Sequence, residues 1–345
     1  MSPTTTPQRP AETPSTSAYA AIDAGTPRFA RLRGSLQQFL AAASLIVIVV
    51  FFSFASSHFF TANNLVSILT AATVTGILAL GTTFVIITGG IDLSIGTGMV
   101  LCGVMAGVFI TYWGWPLWAG IAATILFGGL IGLVNGVNVS VLGIPPFIAT
   151  LGMMLIAAGL ALVISGTKPI YFNDTPEFQS IMNLSIIPGI RFPLGVAIFI
   201  VMIVIASLLL SKTIVGRYTF SIGSNEAATA LSGVNVRRWK IIVYTMAGLF
   251  VGLAGVLSAS RLSSAQPTGG LGLELEAIAA VVIGGTSLQG GKGSIVGTVI
   301  GALIMAVLTN GLRITSVPQE WQSVAVGIVI LVAVYLDMLR RRRAA

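Results

Sequence analysis

Charged side chains are scarce in this chain. Of its 345 residues only 8% are Asp, Glu, Lys or Arg, against 55% hydrophobic. A water-soluble domain carries about 25% charge, so composition excludes a soluble globular fold. Histidine and cysteine are nearly absent too, with His58 and Cys102 the single examples. One thiol excludes an internal disulfide, and Cys102 lies inside an apolar run. With no His or Cys pair at ligand spacing, a metal site and a cofactor are not expected. No nucleophile and base pair stands out, so the chain is not expected to be an enzyme. His58 falls at the end of the first apolar run, where an interfacial, functionally silent residue is expected.

"GGKGS" at 290–294 invites a phosphate-loop reading and fails it twice. The pattern needs glycine five residues before Gly291, where Thr286 stands, and Ser or Thr after Lys292, where Gly293 stands. ATP is not expected to bind by that route.

What is abundant is apolar length. Mean hydropathy is +0.97, and runs reach the roughly 20 residues that cross a hydrocarbon core. The spacing predicts spans at about 36–57, 65–87, 94–113, 116–140, 146–165, 193–211, 239–260, 275–285, 294–312 and 321–338. The fold class is therefore all-α and polytopic, about ten spans including short or broken helices. The run at 275–285 is too short to cross as a regular helix. It reads as re-entrant or half of a broken pair, which requires protein around it.

The net charge of +8 does not point to nucleic acid, because the arginines flank apolar runs, as at Arg28, Arg31 and Arg33 and at Arg340 to Arg343. The partner implied is a lipid bilayer. An even count of spans with a cytoplasmic amino terminus places Lys212, Arg217, Arg237, Arg238, Lys240, Lys292 and the final arginines inside. Lys168, Arg191, Arg261 and Arg313 then fall outside, an asymmetry that the positive-inside rule favours. Residues 1–34, rich in Pro, Thr, Ser and Ala, are expected to be a disordered cytoplasmic tail. The apolar run after them reads as an uncleaved first span. One membrane domain, 35–340, is expected to follow, with a basic cytoplasmic end at 341–345.

The 40 glycines cluster in runs such as "GGLIGLVNG", "AGLFVGLAG" and "GTVIGALIMAV". Small residues at three- and four-residue spacing let helices approach closely in lipid, so most are expected to pack the bundle. "VIITGGIDLSIGTG" and "VVIGGTSLQGGKGS" resemble one another; an internal repeat and chance recurrence both account for that.

Two polar features stand out. In "TGGIDLSIG" (88–96), Asp92 lies between apolar runs, where a carboxylate needs a partner. It reads as a cap on the third span or as a lining of a path through the membrane. Ser94 and Asn135 are candidates for the same roles. The second feature lies in the inner loop, 212–238, opposite an outer loop at 166–192. "GSNEAATALSGVNV" (223–236) predicts a two-turn helix capped by Asn225, with Glu226 at its positive end and Gly233 stopping it. Ala227, Ala228, Leu231 and Val234 complete a small-residue surface. Such a surface suits a solvated connector or docking into a partner's groove.

"TGGIDLSIG", "GIPPFIATLGMM", "GSNEAATALSGVNVRRWKIIVY" and "SRLSSAQPTGGLGLELEAIAAVVIGGTSLQGGKGSIVGTVIGALI" together resemble the ribose-type permeases of ABC importers, from about residue 60 onward and most densely at 214–311. The resemblance implies the pore subunit of a bacterial inner-membrane importer for a pentose or related monosaccharide or polyol. It implies three partners: a second permease copy or homologous permease, an ATP-binding subunit, and an extracytoplasmic substrate-binding protein that carries most of the specificity. It also implies that 225–235 is the segment coupling the ATPase to the pore, through Asn225, Glu226, Ala227, Ala228, Leu231, Gly233 and Val234. The loop departs from the pattern of other importer permeases: four residues separate Ala228 from Gly233, and the usual downstream Leu-Pro is absent. The same machinery could carry a nucleoside, an autoinducer or a branched-chain amino acid. The alternative from another class is a self-sufficient secondary transporter, whose coupling ion would need buried ionisable groups, for which Asp92, Glu274 and Glu276 are candidates.

Overall fold

Each of the ten expected runs is a helix in the computed structural model, which describes residues 28–187 and 190–342. These are α1 (Arg28–Ala55), α2 (Ala62–Ile87), α3 (Ile95–Gly107), α4 (Leu117–Ser140), α5 (Pro146–Ser165), α7 (Leu194–Lys212), α10 (Val236–Leu262), α11 (Leu273–Ile283), α12 (Ile295–Ile314) and α13 (Gln319–Arg342). A π-helical turn, Val108–Tyr112, lengthens α3. Seven of them (α2, α3 with its π-turn, α4, α5, α7, α10 and α12) are long and apolar enough to cross a membrane. Shorter apolar stretches, Phe39–Ala55 and Gln319–Tyr335, lie in α1 and α13. The start of α1 at Arg28 falls inside the stretch expected to be a tail. The rest of that tail, and the basic end beyond Arg342, lie outside the described residues.

Helix ends follow local chemistry. Thr61 accepts from the Asn64 amide, Asn235 from Arg238 and Ser294 from Gly297, capping α2, α10 and α12. Pro146 opens α5, where its missing N–H costs nothing, and Gly166 closes it at φ +62°.

The 11 residues of α11 rise about 16 Å, half a hydrocarbon core. The turn that follows, 284–294, satisfies its backbone inside the protein: Thr286 donates to Val281 O, Ser287 to Lys292 O and Gly291 to Ile87 O at 2.9 Å. That closure makes a partial crossing tolerable. The two similar segments thus meet, the glycine turn after α2 lying against the glycine turn before α12. Thr83 and Thr298 share a 2.8 Å hydroxyl bond nearby.

The core of residues 38–345 is organised by α10 against α4. A Cβ on Gly252 would lie 2.7 Å from Ile125 Cα, and one on Gly136 2.8 Å from Ile241 Cα. The backbones touch, so glycine here is a packing requirement. Gly297 and Gly301 of α12 meet Gly284 and Ala280 in the same manner.

The loops are more structured than expected. The loop at 166–192 holds α6 (Pro176–Asn183) and most of an antiparallel ladder of β2 (Ser185–Ile187) with β3 (Ile190–Pro193), while its β1 (Ile170–Tyr171) pairs antiparallel with β4 (Ser264–Ala265), just after α10. Phe172 and Phe178 are buried and stack at 4.0 Å. The Ser260 hydroxyl of α10 donates to Phe178 O at 2.7 Å and accepts from the Met182 amide at 3.0 Å. The loop at 212–238 holds α8 (Ile214–Ser224) and α9 (Glu226–Leu231).

Candidate functional site

The short helix α9 stands where "NEAATAL" placed it. Asn225 is extended (φ −160°, ψ 102°), and its Oδ1 accepts from the Ala228 amide at 2.9 Å. After Leu231 the chain reverses at Gly233, φ +83°. A Cβ on Gly233 would meet nothing within 4 Å. The requirement for glycine is therefore conformational, since side chains rarely adopt that φ. Asn235 then caps α10, and Lys240 of α10 pairs with Glu226 at 2.7 Å. Two caps and an ion pair strap α9 to the start of α10.

Its outward surface carries small and apolar residues beside the exposed Glu226. Ala227 and Ala228 are exposed and Leu231 is 91% exposed, while Thr229 points inward and Val234 is half-buried. Beside α9 runs a groove of about 730 Å³, lined by Glu226, Ala227 and Ala230, by Asn235 and Lys240, by Ser140 at the end of α4 and by Gly143 after it. An isolated Leu on a surface is unremarkable; here it stands beside small residues and an open groove.

Behind α9 lies a contact that sequence reasoning missed. Gly223, at the end of α8, sits backbone to backbone on Ile87 O, and its Cβ would lie 2.6 Å from Gly291 N. The root of α9 is thereby seated on the end of α2 and on the turn leading into α12. "GSN" carries no sign of this, because the partners are far away in sequence.

Asp92 is buried, 3% exposed, and lies in the turn before α3. Its Oδ1 accepts from the Ser94 amide at 2.8 Å and the Ser94 hydroxyl at 2.6 Å. The Ser94 hydroxyl in turn accepts from Asn135 Nδ2 of α4 at 2.8 Å. Thr150 of α5 ties the same turn, accepting from the Leu93 amide at 3.1 Å. Ser94 occupies the N-cap position of α3 without a side-chain cap bond. Asp92 therefore holds the turn before the helix rather than the free amides of its first turn. The structure thus brings Asp92, Ser94 and Asn135 together in one knot. Asn135 Oδ1 and the Tyr244 hydroxyl are buried there without partners, the latter within reach of Gly90, whose Cβ would lie 2.5 Å from it. Tyr244 and Thr150 lie within the quoted stretches "GSNEAATALSGVNVRRWKIIVY" and "GIPPFIATLGMM", but no local pattern there singled them out.

Glu274 is also buried: Oε1 accepts from the Gly272 amide at 2.9 Å, and Oε2 has no partner. His58 is exposed and Cys102 buried. Among the described residues no group of His, Cys, Asp and Glu could hold a metal.

Comparison with known proteins places these features in a family context. The family described as "Branched-chain amino acid transport system / permease component" matches residues 64–334. The ribose import permease protein RbsC of Escherichia coli (strain K12) is 45% identical, covering 85% of this chain and 91% of its own length. The fructose import permease protein FrcC of Rhizobium meliloti is 38% identical, covering 90% and 89%. The xylose transport system permease protein XylH of Escherichia coli (strain K12) is 34% identical, covering 90% and 94%.

Proposed function

The chain belongs to the branched-chain amino acid transport system / permease component family, and on that premise we propose that it is the pore subunit of a binding-protein-dependent ABC importer for a pentose or related monosaccharide. Permeases of this kind are non-catalytic transport components in a membrane. The observation that carries the sugar assignment is the relatives themselves: ribose, fructose and xylose permeases match nearly end to end at 34–45% identity.

In this reading the chain has no energy source of its own. An ATP-binding subunit docks on α9 and its groove, and an extracytoplasmic binding protein delivers sugar to the opposite face. A second permease copy, or a homologue, completes the pore. Apolar faces of α5 and α7, whose cores are 28% buried, are available to lipid and to that copy. The ATPase biases the inward and outward states through its differential affinity for them, which is the only way a partner can drive alternation. Sidedness follows the arginine asymmetry, with both termini and the α8–α9 loop cytoplasmic.

The test is uptake by proteoliposomes containing permease, ATPase and binding protein, with labelled D-ribose, D-xylose, D-fructose and L-leucine supplied separately. The proposal expects accumulation of at least one sugar and none of leucine. Leucine uptake without sugar uptake would move the chain to an amino-acid importer.

A further inference from the structure

Away from α9, at the other end of the bundle, a cavity of about 300 Å³ opens between the start of α2 and the ends of α10 and α12. Asn64 and Ser67 line it from α2, Arg261 from α10, and Thr309, Asn310 and Arg313 from α12. It descends α2 as far as Ala71, about 10 Å of helix below Asn64. Most of its named lining is polar, in a bundle otherwise built from apolar side chains.

The hydrogen-bonding inventory of the lining is incomplete in both senses. Arg261 and Arg313 are close enough to repel one another, and Glu276 is close enough to attract Arg313. Among the described residues neither guanidinium has a hydrogen bond or an ion pair. Each carries five donors with no acceptor on the described residues, and Arg313, being exposed, also meets solvent. Asn310 Oδ1 is the opposite case, a buried acceptor without a donor. A proton-free anion such as sulfate would satisfy the arginines and leave Asn310 unpaired, because it donates nothing. A hydroxyl both donates and accepts, so a ring of hydroxyls can serve the guanidiniums and Asn310 together.

We propose that this cavity is a binding site for a single polyhydroxylated ring, a monosaccharide or cyclic polyol, on the permease itself. Its volume is at the lower bound for small-molecule pockets, roughly 300 Å³, which suits one ring rather than a chain of them. This rests on the importer reading and adds to it a receiving site at the outer mouth, where the permease contributes selectivity beside the binding protein.

The test uses permease with its ATPase in nanodiscs, without binding protein, probed by saturation-transfer NMR with D-ribose, D-xylose and D-fructose. Inorganic phosphate is the anionic competitor. Transfer to at least one sugar is expected. It should weaken on the order of threefold to tenfold in Asn310→Leu, Arg313→Gln and Ser67→Ala, the loss expected for one hydrogen bond. Arg313 and Ser67 are exposed, so their variants test the site even if Asn310→Leu does not assemble. No transfer in the unmodified protein, or equal transfer in assembled variants, overturns the proposal. Competition by phosphate overturns it in favour of an anion site. Sugar transfer that the variants weaken, in a transporter that takes up no sugar, supports the site and contradicts the importer reading. Sugar uptake with transfer unchanged by the variants does the reverse.

Discussion

Asp92 shows how a carboxylate is kept in an apolar bundle. Its Oδ1 receives two donors from Ser94, and Asn135 holds Ser94 in turn. Asp92→Asn retains an oxygen that accepts from both Ser94 donors, so folding and most transport should survive. Asp92→Leu leaves a buried amide and hydroxyl without an acceptor, costing about 1–3 kcal/mol each. Loss of assembled complex on gel filtration is expected for Leu and not for Asn. A stable Asp92→Leu complex that assembles but no longer transports would instead assign Asp92 to the translocation path. Gly233 is a contrasting residue, needed for its φ of +83° and not for space. Gly233→Ala should therefore already perturb the turn, with Gly233→Asn milder because Asn tolerates left-handed backbone better. Protease susceptibility at 231–235 measures both.

Among elements, α9 is the proposed point of force transfer. Its exposed Ala227, Ala228 and Leu231 can seat closely only if they stay small or apolar. Ala228→Trp should abolish uptake and co-purification of the ATPase while leaving the permease in the membrane, because the added bulk falls on an exposed face and not on the core. Glu226→Lys breaks the pair with Lys240 and sets two cations together beside the positive end of α9, and should weaken ATPase retention. Retention and transport unchanged in both variants would make α9 a plain connector. Gly223 belongs to a different class: even Ala there drives Cβ into Ile87 O, so Gly223→Ala should destabilise the permease itself.

The elements also mark what the sequence discloses. Long apolar runs and their Thr, Asn, Ser, Pro and Gly ends are local signals, so all ten runs and the capped α9 were legible. α6 was not, being a short segment inside a polar loop held by distant partners, and neither was α8, whose mix of polar and apolar residues does not read as a span. The Ser260 bonds to Phe178 and Met182 span 82 and 78 residues, and no local period encodes them. The same holds for Asp92: its burial could be inferred from its apolar flanks, but its link through Ser94 to Asn135, 41 residues beyond Ser94, could not.

For the whole molecule, sidedness is the first consequence of the arginine distribution. Single cysteines at Asp174, exposed on the outer loop, and at Ser232, exposed beside α9, can be introduced in a Cys102→Ser background. An impermeant thiol reagent applied to intact cells should label Asp174→Cys, and Ser232→Cys only after lysis. Labelling of both from one side would break the even-span topology. The chain is proposed to move sugar with energy from ATP hydrolysed by another subunit. The direct measurement is accumulation of a labelled sugar by proteoliposomes, made with no ion gradient and with ATP or a non-hydrolysable analogue on the ATPase side. Accumulation with ATP alone is expected, lost when either the ATPase or the binding protein is omitted. Accumulation by the permease alone, driven by an imposed proton or sodium gradient and indifferent to ATP, would contradict it.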